Sequence, residues 1–82
     1  MNIKRNFPDK VEYLMADQGL TYSDLAEKLR EAKEERTGRE FAPISKSAAE
    51  SVAKSTNPHL TTIRDMATAL GVEVKYFFED TL

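Results

Sequence analysis

Eighty-two residues, 40% hydrophobic and 32% charged, with three Gly and three Pro, confine this chain to one helix-rich domain around one modest core. It has no Cys, which excludes disulfides and thiolate metal sites and fits a reducing compartment. The formal net charge of −2 excludes a uniformly basic surface, and "MNIKRNFPDK" lacks the apolar stretch of a secretion signal, so a cytoplasmic protein is expected.

Residues 1–6 read as a flexible arm ahead of the first periodic stretch, Phe7, Val11, Leu14 and Met15. Pro8 suits a first helical turn there, and Gly19 the stop. In "TYSD", Thr21 can cap a second helix and Asp24 can answer three residues later. Leu25, Ala26 and Leu29 give that helix a short apolar face before "REAKEER" continues it as a charged rod. Asp24 to Lys28 and Arg30 to Glu34 are favourable neighbours on it. Thr37-Gly38 should end the rod, and Pro43 discourages helix at Ala42, leaving Phe41 and Ile44 as the expected core anchors of the connection.

A third helix starts at Ser45 or, by the box from Ser47 to Glu50, at Ser47; both registers are open, and it ends near Lys54. A fourth follows Asn57-Pro58, with Leu60, Ile63, Met66, Ala67 and Leu70 on one face and Gly71 closing it. "VEVKYFFED" alternates like a strand, but a lone strand in a helical chain has no partner, so a short helix is expected. Phe77 belongs in the core. Three adjacent aromatics cannot all face inward on one short helix, so Tyr76 or Phe78 is left partly exposed as a candidate dimer contact.

The third helix, "SKSAAESVAK", has no large side chain beyond Val52, whereas a core-filling helix carries Leu, Ile or Phe every three or four residues. Ala49 and Val52 fall on its inner face, while Lys46, Ser47, Glu50, Ser51 and Lys54 fall largely on the other. A rod this slim can enter a major groove about 12 Å wide, where Lys donates to guanine, Glu accepts from cytosine N4 and Ser bonds to either. The ordinary readings stand beside this one. Lys46 and Lys54 also fit as solvated lysines, and capping by Ser47 with Glu50 competes with base contact for the same hydroxyl.

Charge is segregated in a way that permits a polyanion partner: residues 44–64 hold Lys46, Lys54 and Arg64 against Glu50, and residues 65–82 hold four carboxylates against Lys75. "SVAK" spells the Ser-x-x-Lys signature of penicillin-recognising hydrolases, but their partner motifs and a domain able to hold them are missing. His59 stands without companion ligands, and the remaining carboxylates are scattered on helix faces. No catalytic residue, metal site or cofactor is expected.

Taken in order, "LTYSDLAEKL", "ISKSAAESVAKSTNP" and "HLTTIRDMATALGVEVKYFF" resemble the Cro and phage-repressor type of helix-turn-helix domain over residues 7–79. The matching marks are Thr21, Leu25-Ala26, Ile44-Ser45, a Val52 buried late in helix three, Asn57-Pro58, Leu60, the "ALGV" at 69–72 and Phe77. The resemblance implies an all-α, five-helix lambda-repressor-like domain. One departure is that Arg30 through Pro43 lengthen the turn before the recognition helix, as in an actinobacterial subgroup that also ends in a Tyr-Phe-rich stretch. Residues 31–43 are therefore read as an insertion: an extension of helix two plus a loop.

The resemblance further implies a double-stranded-DNA-binding transcriptional regulator, a repressor acting as a homodimer on half-sites about 34 Å apart. Lys46, Ser47 and Ser51 would read bases, with Glu50 as a fourth. Tyr22, Ser45, Lys54, Thr56, Asn57 and His59 would position the phosphate backbone. No membrane is expected as a partner, nor a small-molecule ligand, since the length leaves no room for a separate sensing domain. The other reading is a protein-interaction module on the same fold, an antitoxin or antirepressor, gripping its partner with the charged rod. Alternatively, Arg36 and Arg39, at and just beyond the end of that rod, flank the DNA, or the rod contacts a partner subunit.

Overall fold

The computed structural model describes residues 3–79. Four α-helices, α1 (Ile3–Gln18), α2 (Tyr22–Thr37), α3 (Lys46–Ala53) and α4 (Leu60–Leu70), are followed by a 3₁₀ helix at Val74–Phe78. The described residues contain no strand, so the chain is all-α and its fifth helical element is 3₁₀. None of their helices is long and apolar enough to cross a membrane.

Helix α1 corrects one expectation, because residues 3–6 of the expected arm are helical and Pro8 lies inside the helix. The proline ring removes only the donor for the carbonyl of Lys4, a defect tolerable this near a helix start. Met1 and Asn2 lie outside the described residues. At the other end Gly19 takes the left-handed conformation (φ 67°). Its amide donates to the Ala16 carbonyl at 3.2 Å, and the Leu20 amide donates to Met15 at 2.9 Å. Leu20 thereby folds back onto the core.

Helix α2 opens with the expected box. The Asp24 amide donates to Thr21 Oγ1 at 3.1 Å, and the Thr21 amide donates to Asp24 Oδ2 at 3.0 Å. Buried Leu25, Ala26, Leu29 and Ala32 carry its inner face. Arg30 pairs with both Glu27 and Glu34 at 3.1 Å. After Gly38 the chain turns back along α2, where the Phe41 amide donates to Glu34 Oε2 at 2.9 Å and the Lys33 ammonium lies 4.4 Å from the Phe41 ring centroid. Phe41 is therefore half-buried against α2, not a core anchor as expected; Ile44 does pack on the core.

The core centres on Phe7, Val11, Leu25, Met66 and Phe77, with Phe7 and Phe77 ring centroids 5.2 Å apart. Helix α2 packs most extensively against α4 and α3. Ala49 and Ala53 form the inner stripe of α3, and Val52 lies at its flank, half-buried instead of buried. Leu60 also departs from expectation. It is 50% exposed, because α4 reaches the core only from Ile63 onward.

Long-range polar contacts tie the helices together. Lys10, on α1, is fully buried and donates from Nζ to the Tyr76 and Glu79 carbonyls at 2.6 Å each. It thus satisfies the carbonyls of Tyr76, in the last turn of the 3₁₀ helix, and of Glu79, the residue that follows it. Gln18 Nε2 donates to the Leu70 carbonyl at 2.7 Å, doing the same for α4. Arg36 forks onto Asp65, with Nε to Oδ1 at 2.7 Å and Nη2 to Oδ2 at 3.1 Å, clasping the rod to α4.

Candidate nucleic-acid interface

Which hydroxyl caps α3 decides what its outer face can do. Ser45 is the cap: its backbone is extended (φ −71°, ψ 156°) and its Oγ accepts from the Ala48 amide at 3.0 Å. Helix α3 therefore starts at Lys46, and the Ser47–Glu50 box does not form. The hydroxyls of Ser47 and Ser51 make no side-chain hydrogen bond among the described residues, and both side chains are exposed. Ser45, expected near phosphate, spends one acceptor lone pair on the cap and keeps its hydroxyl proton to donate.

Glu50 turns the other way along the helix. Its Oε2 accepts from Lys54 Nζ at 2.8 Å, an i,i+4 pair with the glutamate on the favourable, N-terminal side. That bond holds the Glu50 carboxyl below its ordinary range, with Lys46 adding a smaller pull, and it holds the Lys54 ammonium above its own. The pair stands in solvent, with side-chain exposures of 63% and 40%, so it can exchange for other partners.

The remaining candidates fall on two sides of α3. On one side, Lys46 borders a shallow depression with Glu12, Met15, Ala16, Leu20, Thr21 and Tyr22. Tyr22 is half-buried, with its ring centroid 5.9 Å from Lys54 Nζ. On the other side, Ser51, Asn57 and His59 line a second open depression with Val52, Ser55 and Thr62. Ser55 shapes this turn, its Oγ accepting from the Asn57 amide at 3.2 Å. Thr56 is exposed beside it, and His59 is the extended residue before α4, with no side-chain cap bond.

Tyr76 and Phe78 stand apart from this surface on the 3₁₀ helix. Phe78 is 52% exposed, whereas Tyr76 is half-buried beneath Lys10, its ring edge-on to Phe77. Burial pushes the Tyr76 hydroxyl up from its ordinary value. Among the described residues, no cluster of His, Asp or Glu is placed to hold a metal ion.

Two participants were not foreseen. Glu12 enters the field around Lys46 and Lys54, which only the docking of α1 beside α3 could reveal. Asp65 takes Arg36 from 29 residues away, so Arg36 does not stand free beside α3. Comparison with protein-family models, curated proteins and solved structures finds no match for this chain.

Proposed function

We propose that this chain is a sequence-specific, double-stranded-DNA-binding transcriptional regulator of the Cro and phage-repressor helix-turn-helix type, a repressor acting as a homodimer. The observation that carries this reading is the outward stripe of α3. Ser47 and Ser51 form it, opposite an inner stripe of two buried alanines, and Lys46 is exposed at its flank; all three are small or slender and uncommitted to capping. Such a helix can lie close to base edges, and its donors match those edges.

The lengthened connection supports the same reading. Its contacts with Lys33, Glu34 and the core hold residues 38–45 against α2, so that α3 is presented at a fixed angle. The rod is less suited to gripping a protein partner, because Arg30, Glu34 and Arg36 spend their charges within the chain. Dimerisation follows from economy of information: one module with about three base-reading side chains discriminates too weakly among genomic competitors. Phe78, exposed beside Tyr76, is the proposed contact between subunits.

Selection of bound sequences from a random duplex pool tests this directly. The expected product is a two-fold-symmetric consensus with half-sites about 34 Å apart. Lys46→Ala and Ser51→Ala should each weaken binding to it by about 1–3 kcal/mol with the helical content unchanged. If a dimer neutralises about six phosphates, log K should fall against log salt with a slope of about −5. No enrichment at low salt would end this reading.

A further inference from the structure

An acidic residue on a face offered to DNA calls for a reason, and Glu50 has a specific neighbour. With the cap assigned to Ser45, Glu50 has no role in starting the helix. It flanks the outward stripe of Ser47 and Ser51, its carboxylate 2.8 Å from Lys54 Nζ. The charged groups around the pair are Lys46 and, on α1, Glu12, with the Tyr22 ring beside Lys54.

We infer that Glu50 is a specificity gate, closed on Lys54 in the free protein and opened only where a cytosine amine replaces that ammonium. This rests on the DNA-binding reading above. Phosphate competes for Lys54 on any duplex, since neutralising a phosphate releases a counterion. Once Lys54 leaves, Glu50 faces the groove as an acceptor without a donor. Cytosine N4 supplies the donor. Guanine offers only acceptors in the major groove, thymine an acceptor and a methyl group, and adenine an amine flanked by the N7 acceptor, which repels a carboxylate. On unsuited sequence the pair therefore stays closed, and the face keeps one free cation fewer. The gate trades general affinity for discrimination.

The test compares wild type with Glu50→Gln on the duplex that wild type selects, on single-base variants of that duplex, and on an unrelated duplex. Wild type should prefer cytosine over other bases at one position of each half-site by roughly 5- to 150-fold. Glu50→Gln should lose that preference while keeping the others, and should bind the unrelated duplex more tightly. Its salt slope should steepen by about 0.9 per subunit as Lys54 gains a phosphate. Circular dichroism should match wild type, since the pair stands in solvent and takes no part in capping α3. Unchanged base preference and unchanged affinity for the unrelated duplex would reduce Glu50–Lys54 to an ordinary surface pair, leaving the DNA-binding reading intact. Failure of wild type to bind any duplex would remove both.

Discussion

Lys10 and Lys46 are the same side chain put to opposite uses. Lys10 is sealed between α1 and the 3₁₀ helix, its ammonium donating to two carbonyls and lying 5.0 Å from the Tyr76 ring centroid. Lys46 opens α3 in solvent, and no carboxylate among the described residues forms a salt bridge with it. A buried ammonium is tolerable only where hydrogen bonds replace its water, so the α1 seam is a place where little can be changed. The outer face of α3 has no such constraint, and its residues are open to selection for what they touch outside the chain.

The largest expected effect breaks the seam. Lys10→Ala removes two charge-assisted bonds and leaves a void, and should cost about 3 kcal/mol or more in urea denaturation. Lys46→Ala should stay within about 0.5 kcal/mol of wild type. Equal stability of the two variants would erase the contrast between the regions. Next come paired changes on α3. Ala49→Leu overpacks the inner stripe and should cost about 1–3 kcal/mol, whereas Ala48→Leu, on the exposed side, should leave melting almost unchanged and weaken duplex binding through bulk.

Smaller still is the cap of α2. Thr21→Ala should cost about 1 kcal/mol by thermal melting. The smallest effect is a pH dependence. Hydrogen bonds from Thr21 hold the Asp24 carboxyl below its ordinary value, with Lys28 contributing less. The stabilisation is therefore complete above the unfolded value of about 3.9 and is lost as pH falls through the lower folded value. Wild type should melt above Asp24→Asn at neutral pH, and the gap should close in acid. A gap independent of pH would detach the carboxylate charge from the cap.

Much of the helical frame was legible because its signals are local. Thr21 with Asp24, the glycines at 19, 38 and 71, and the apolar period from Ile63 to Leu70 act within one or two turns, so their effect can be read wherever the helices finally pack. The candidate face was legible for the same reason, since helical spacing puts Ser47 and Ser51 opposite Ala49, with Lys46 and Glu50 on the flank. The register of α3 was not, because Ser45 and Ser47 are both competent caps. Ser45 is the one used, where the connection returns along α2 and Ile44 meets the core.

What the sequence by itself determined is the set of helices, their stops and the slimness of α3. Only the tertiary structure decided that Lys10 is buried, that Leu60 is not, that Phe41 lies on Lys33, and that Arg36 belongs to Asp65. Each of these depends on how helices distant in the chain dock against one another. A lysine, a leucine or an arginine carries no local mark of the neighbour that docking will bring.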